Sequence, residues 1–472
     1  MIGDIVVSGT LSPGASPGTM TVTGDVSLGA GSTSLFELTP TASDKLVVSG
    51  VVSIAPGSTL KLVGERVFLP GQSLDLIVAG GGIVGAYSTI DGAQALNVHI
   101  KQSANRLRAL GLFSTDTAFS TQVSDVIGLL NTALIDETAS PTLTAAMASL
   151  GDATTGKSDP AALSKLPPQA YASASQIGVE DGLAVIDATR EQARFAPETP
   201  GLFGFGQALT TRRTLDGDAA AGVFDGKLIR TGGFSGVGYG AKAGWVGAFV
   251  GYLDGSQRIV DLDVRTNAKS YIFGIQAQVN LQAFDLGLTI AHDQADAQTR
   301  RTLAGGATAE GDYKIKSWIG DIHLTYTAAL GDNWKVRPRL AASYLRTARE
   351  GVSEQGSNPF VLDVEGSKTN SGFIDGQVEF LGGQSAGRKL HPYVSAGFRT
   401  AISGEDAYAV ADWTALGTSI RAKGLDRDGT LALVGAGLGY DLSHGLTVSA
   451  TYSGEYGDGG RQAALVGLRW AF

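Results

Sequence analysis

Gly383-Gln384-Ser385-Ala386-Gly387 has the G-x-S-x-G spacing of a nucleophile elbow. That chemistry needs a sharp strand-to-helix turn and a His and an acid brought to the hydroxyl. Both flanks here read as β-strands, so the segment is expected to be a short turn with no catalytic role. Gly236-Val237-Gly238-Tyr239-Gly240 is glycine-rich like a phosphate-cradling loop, but no helix follows to present its N-terminus to a dinucleotide. His99, His292, His323, His391 and His444 are scattered singly, without metal-ligand spacing. Asp216-Gly217-Asp218 and Asp261-Leu262-Asp263 could hold calcium at a surface, yet they read more simply as solvated loop carboxylates. Residues 1–113 contain no catalytic constellation, so neither an enzyme nor a cofactor nor a metal is expected.

A second set of ionisable residues is spaced by two. Arg337, Arg339, Arg399, Arg461 and Arg469, with Asp285, Asp321, Asp375 and Glu379, fall on the polar face of alternating segments. Their natural complement is the stretch from Gln169 to Phe195, which has no Pro, is rich in small residues such as Ala172, Gly178 and Ala184, and carries Glu180, Asp181, Asp187, Arg190 and Arg194. As a helix of about 27 residues it would be about 40 Å long, capped by Pro167-Pro168 and closed by Pro197. If the alternating segments form a pore, those charges are expected to hold the helix inside it; the plainer alternative is a wet lumen. Gly435, Gly437, Gly439 and Gly467 would face the same lumen and leave room for a helix backbone, or serve only the curvature of the wall.

The elements behind these residues are strands. After Pro200 the period is two: Leu446, Val448, Ala450, Tyr452 and Tyr456 alternate with Thr447, Ser449, Thr451, Ser453 and Glu455, and Phe284, Leu286, Leu288 and Ile290 alternate with Asp285, Gly287 and Thr289. The polar face is full of Gly and small residues, whereas the apolar face ends in aromatics such as Tyr252, Tyr326, Tyr344, Tyr440 and Trp470, as an interfacial girdle does. Twelve strands are expected, beginning near 202, 232, 244, 268, 282, 312, 334, 361, 389, 428, 445 and 460. Tight links at 241–244 and 280–283 alternate with long ones at 212–229, 298–311 and 403–427, the pattern of periplasmic turns and surface loops.

Composition agrees. The 472 residues hold 66 Gly and no Cys, with no run of eighteen apolar residues, yet mean hydropathy is slightly positive although 17% of residues are charged. A transmembrane barrel gives that combination, since its strands never make a continuous apolar run. A net charge of −9 with no Lys/Arg cluster excludes nucleic acid as a partner. Upstream, Val22-Thr23-Gly24-Asp25-Val26-Ser27-Leu28-Gly29-Ala30-Gly31-Ser32 recurs 26 residues later as Val48-Ser49-Gly50-Val51-Val52-Ser53-Ile54-Ala55-Pro56-Gly57-Ser58, one turn of a β-solenoid. The expected organisation is all-β dominated. A short right-handed parallel β-helix occupies 1–113, with residues 60–113 expected to act as its folding nucleus, a helical linker follows at 114–168 and a lumen α-helix at 169–195, and a 12-stranded antiparallel transmembrane β-barrel occupies 196–472. No signal peptide is visible, so an exported form would be a piece of a longer chain.

Several motifs resemble the monomeric (type V) autotransporter family over nearly the whole chain. They are Gly424-Leu425-Asp426-Arg427-Asp428-Gly429, Gly435-Ala436-Gly437-Leu438-Gly439-Tyr440, Gly454-Glu455-Tyr456-Gly457-Asp458-Gly459 and the terminal Gly467-Leu468-Arg469-Trp470-Ala471-Phe472, with Leu11-Ser12-Pro13-Gly14 and Leu166 to Tyr171 upstream. The resemblance implies a translocator that secretes and displays its own N-terminal passenger from the outer membrane of a Gram-negative bacterium. It implies insertion by the barrel assembly machinery after escort by periplasmic chaperones, contact with outer-membrane lipid and lipopolysaccharide, and a monomer whose helix stays in the pore. Leu468, Trp470 and Phe472 match the assembly signal of outer-membrane proteins. One departure stands out: no Asn lies between Gln169 and Phe195, so release of a passenger at an Asn pair in the helix is not expected. The competing readings are a plugged porin-type channel and a surface adhesin whose binding part lies in the passenger.

Overall fold

The 26-residue repeat becomes a coil of a three-faced solenoid. The computed structural model describes all residues except 15–16, 40, 65–67, 195–199, 384, 386–387, 405–406, 428, 444 and 458. Thr19–Val22, Val26–Leu28 and Thr33–Leu38 pair in parallel with Lys45–Val48, Val51–Ile54 and Thr59–Gly64, each 26 residues on. Neighbouring coils differ in length, since Ile5 pairs with Val26 and Val51 with Gly82. Inward residues of each face, among them Val26, Phe36, Leu46, Leu60 and Leu76, are fully buried, because a coil covers its apolar side only by stacking on the next. An antiparallel hairpin, Val98–Gln102 with Arg106–Gly111, closes the third face at the C-terminal end.

Helices α1 (Thr121–Ile135), α2 (Pro141–Ala148) and α3 (Pro160–Leu163) follow. Ser120 and Ser140 cap the first two by accepting from Val123 N and Leu143 N, and Pro141 occupies a first-turn position where no N–H is required. Asn131 of α1 accepts from Phe113 N (2.8 Å) at the solenoid's end, while Thr121 N donates to Ala220 O (3.0 Å) of a barrel loop. The solenoid is thereby tied to one rim of the barrel.

Twelve strands form the wall: β1 Gly201–Leu215, β2 Gly226–Ala241, β3 Gly244–Ile259, β4 Val264–Leu281, β5 Phe284–Thr302, β6 Thr308–Tyr326, β7 Trp334–Arg349, β8 Ser367–Gly382, β9 Leu390–Gly404, β10 Thr430–Ser443, β11 Leu446–Gly457 and β12 Gly459–Ala471. Each pairs antiparallel with the next, and β1 closes on β12 from Phe203↔Ala471 to Thr214↔Gly460, so the wall has no free edge. The strands run further than their alternation suggested. The link expected at 298–311 is only 303–307, and much of the one expected at 403–427 is a hairpin, Tyr408–Trp413 with Thr418–Lys423. That hairpin joins Val352–Ser353 and Leu362–Val364 in a separate four-stranded sheet over the same rim, with Trp413 wholly buried. No described helix is long and apolar enough to cross a membrane.

The helix expected over 169–195 is found as α4, Gln169–Ser173, and α5, Ser175–Arg194, which meet at Ala174, a residue whose backbone is itself right-handed helical; Phe195 and Pro197 lie outside the described residues. At 1.5 Å per residue α5 alone is about 30 Å long, and α4 extends it towards the length expected from sequence.

Candidate functional site

Nearly every residue of α5 is buried, and most of its charges meet a partner on the wall. Alternation sends every second strand residue inward, which fixes which basic and acidic residues can reach the helix. Glu180, with no solvent exposure, accepts from Arg461 Nε at 2.5 Å, Arg427 Nη2 at 3.3 Å and Arg213 Nε at 3.4 Å. Asp181 takes a two-pronged contact from Arg230 (2.7 and 2.9 Å) and a third hydrogen bond from Ser270 Oγ (2.6 Å). Asp187 pairs with Arg461 Nη1 (2.5 Å). Arg190 spans Asp321 (2.7 Å) and Asp375 (2.6 Å), and Arg194 pairs with Glu379 (2.6 Å) beneath the Tyr393 ring, 3.8 Å from its centroid.

These charges occupy only part of the interface. Val179, Leu183 and Ile186 of α5 join Phe203, Phe205, Phe234, Phe249, Leu253, Ile319 and Leu345 in a buried apolar cluster. The lumen is therefore drier and more aromatic than the small polar face expected from sequence. Close approach comes from the helix side: a Cβ on Gly178 would run into Ser317 and Thr347, and one on Gly182 into Leu345 and Ile319. The i, i+4 spacing of these two glycines puts both on the face that meets β6 and β7.

The wall glycines expected to make room for the helix do something else. Gly437 lies beneath the ring of its cross-strand partner Tyr393, as Gly236 and Gly238 lie beneath Phe205 and Phe203. Space over Gly435 and Gly467 is taken by Ser395 and Ser449. Gly439 faces inward opposite His391 and Ser449. Inward Gly435, Gly437 and Gly467 thus accommodate a neighbouring strand's side chain, where the sequence suggested room for the helix. Between that wall and α5 remains a cleft of about 80 Å³ lined by Ala184, Asp187, Tyr393, Gly435, Glu455 and Arg461. At about 30 Å³ per molecule it has room for two or three waters. Arg469 also faces inward, but its hydrogen bond runs to Thr447 (3.2 Å) on the adjacent strand, which gives no support to its assignment as a helix contact.

Alternation alone would have found two helix partners that went unnamed, and an acid that binds the wall arginines beside them. Arg213 follows Leu209 and Thr211 inward, whereas Arg212 beside it points out; Arg230 lies two residues from inward Leu228; and Glu455 bridges Arg213 (2.5 Å), Arg399 and Arg461 (3.6 Å). A further cluster at the sheet-covered rim had no sequence signal, because it joins a helix, a strand and a loop far apart in the chain. Glu354 accepts from Tyr171 Oη (2.7 Å) and from Arg301 Nε and Nη2 (2.6 and 2.8 Å), and Arg301 also donates to Lys165 O (2.9 Å).

At the other rim, Phe472 N donates to Leu202 O (2.9 Å), Trp470 stacks where a Gly204 side chain would be, and the rings and chains of Phe472 and Leu468 are exposed on the outside. The remaining motifs are structural. Ser385 Oγ donates to Asp332 O (2.9 Å) in a turn whose Gln384, Ala386 and Gly387 lie outside the described residues, as does His444. Asp216 accepts from Gly459 N (2.8 Å) and Asp218 from Ala221 N (3.1 Å), as turn carboxylates do.

Known proteins place this architecture. Over 62% of the chain and 98% of its own length, the translocator domain of autotransporter NalP from Neisseria meningitidis superposes with a TM-score of 0.51 at 14% identity. The β domain of the Bordetella autotransporter BrkA gives 0.44 at 16% identity over 58% of this chain and all of its own. The transport unit of AIDA-I from Escherichia coli gives 0.39 at 11% identity, over 59% and 92%. No curated protein matches the sequence. The autotransporter β-domain family model, however, matches residues 204–453, from the first strand into the eleventh. Because that match covers more than half of the sequence, the chain belongs to the autotransporter β-domain family, and it is an outer-membrane translocator.

Proposed function

We propose that the barrel secretes its own N-terminal passenger and displays it on the cell surface, the solenoid of residues 1–113 being the passenger's attached end and α5 the part of the exported chain that stays in the pore. The observation that carries this reading is the covalent path. A solenoid and its helices dock on the long-loop rim, one helix threads the lumen, and β1 begins at the short-turn rim beside the C-terminus. Short turns belong to the periplasmic side of such barrels, so the path runs from outside to inside. A porin with a plug has no use for a solenoid joined to that plug.

Insertion then falls to the outer-membrane barrel assembly machinery, with periplasmic chaperones keeping the strands apart beforehand. Leu468, Trp470 and Phe472 supply the recognition signal, for which the exposed Leu468 and Phe472 are accessible. A monomer suffices, because a closed wall leaves no edge to pair. No step of reaction chemistry is assigned to the chain.

An epitope joined ahead of Met1 behind a secretion signal tests the reading. Intact cells should bind an antibody to the epitope, and added protease should remove it while leaving the barrel. An epitope found only in the periplasm of cells whose barrel is folded in the outer membrane would overturn the proposal.

A further inference from the structure

The outer face of the barrel changes character abruptly on one side. On β4, β6 and β7 the outward apolar run ends in an aromatic ring, and the next outward residue towards the long-loop rim is a cation: Tyr271 then Lys269, Trp318 then Lys316, Tyr344 then Arg346. All three rings are more than half exposed. Trp318 faces Arg346 in register, and Tyr271 faces Gln294, which in turn faces Lys316, so the cations form a row at the upper boundary of the aromatic level. Aromatic rings mark the membrane–water interface, so cations one step beyond them stand among lipid headgroups.

The step from ring to cation is particular to these strands. On β9 to β12 the outward runs continue into Thr400, Thr430, Tyr456 and Gln462, and the outward cations of β1, β2 and β3, Arg212, Lys227 and Arg258, stand beyond Thr210, Ile229 and Ser256 and not beside a ring. Among the described residues, Lys316 is paired with Glu350 (2.6 Å), whereas the side chains of Lys269 and Arg346 make no hydrogen bond or ion pair. Asp254 and Asp296 flank Lys269 in register, and Lys314 lies 3.7 Å from Asp296. Lys269 and Lys316 are two strands and two residues of register apart, about 12 Å at the usual spacings, and Arg346 stands about 8 Å beyond Lys316. The first separation suits two phosphates at the ends of one small sugar headgroup, with the neighbouring carboxylates left for its hydroxyls. Below the row, Ile275, Ile290 and Ile322 are exposed along the wall, where acyl chains would lie.

We infer that β4 to β7 carry a binding site for the headgroup of a phosphorylated glycolipid of the surface leaflet, with Lys269, Lys316 and Arg346 as its phosphate ligands. The inference rests on the barrel spanning the outer membrane with its long loops outward. Arg346 can offer a phosphate two parallel N–H groups, and the lysines act as point charges.

The test uses the full chain in detergent with purified lipopolysaccharide carrying phosphates on its lipid anchor. Native mass spectrometry should find one lipid retained, and the temperature at which gel mobility shifts should rise by several degrees. K269Q/K316Q/R346Q should remain a folded, heat-modifiable barrel but lose about a hundredfold in affinity, several-fold per cation. R212Q/K227Q, which neutralises exposed cations of β1 and β2, should bind like the parent. The site is overturned if the triple variant binds normally, if the dephosphorylated lipid binds equally well, or if inorganic phosphate alone gives the same thermal shift. Failure of the parent protein to insert into bilayers would overturn the membrane placement itself, a result separable from loss of the site.

Discussion

Glu180 has no access to water, and a carboxylate in that position costs several kcal/mol unless compensated. Arg461, Arg427 and Arg213 supply the compensation, and they in turn have few other acids near them besides Glu455 and Asp187. Glu180→Gln should therefore lose more than one ion pair's worth of stability. Leaving three buried guanidiniums short of charge is expected to cost about 3–5 kcal/mol, seen as a lower temperature for the gel-mobility shift, with Glu180→Asp losing less. An unchanged transition would mean that water in the adjoining cleft already screens the site. Phe472 makes a contrasting case. Its ring is 82% exposed and only its backbone N–H is engaged, so it adds little to the finished fold. Deleting it should lower the amount of barrel in the membrane far more than Phe472→Tyr does, as measured by membrane fractionation. Equal levels would remove it from the assembly signal.

At the scale of the element, α5 fits because two of its own residues lack side chains. Gly178 and Gly182 let its backbone approach Ser317, Thr347 and Leu345 on β6 and β7, and the helix leans to that side. Gly182→Val would meet Leu345 and Ile319 head-on. Overpacking of this kind costs about 1–3 kcal/mol, and the expected result is a loosened helix and a raised single-channel conductance in planar bilayers. A conductance equal to the parent's would show that the helix can shift into the cleft on its other side. In the solenoid, Leu76 and Ile77 are wholly buried beside the closing hairpin, whereas Leu74 is only partly so. Leu76→Ser with Ile77→Ser should leave the barrel intact and make the solenoid protease-sensitive. Persistent resistance would move the folding nucleus elsewhere in the passenger.

For the molecule as a whole, closure and filling are separate properties. A wall with no edge has no place to begin unravelling, so residues 196–472 alone should still be heat-modifiable in detergent. Filling depends on the helix. Removing residues 175–194 should raise conductance several-fold, and because the chain has no native Cys, Gly178→Cys with Ser317→Cys offers a clean crosslink across the lumen. Absence of both effects would mean that the helix leaves the pore in the membrane. The long-loop rim is closed independently by the four-stranded sheet and by the Tyr171–Glu354–Arg301 cluster, so conductance after helix removal also reports how firmly that cover is held.

Alternation, turn chemistry and the 26-residue repeat are local properties, and they alone determined a solenoid, a helix and twelve strands in the order found. They also fixed which face each charge would take, since a period of two leaves no choice once one residue is assigned. Glu180, Asp181, Asp187, Arg190 and Arg194 were legible as charges turned away from lipid, since a helix with that pattern has no lipid-facing side over its second half. Tertiary structure decided who meets whom. Cross-strand register put Tyr393 over Gly437 and Phe205 over Gly236, so the inward glycines serve neighbouring rings and the space for the helix comes from Gly178 and Gly182. It also brought Tyr171, Arg301 and Glu354 together from segments far apart in the chain. Periodicity gives the direction of a side chain, but only the closed sheet, with its stagger from strand to strand, sets the height at which it meets its partner.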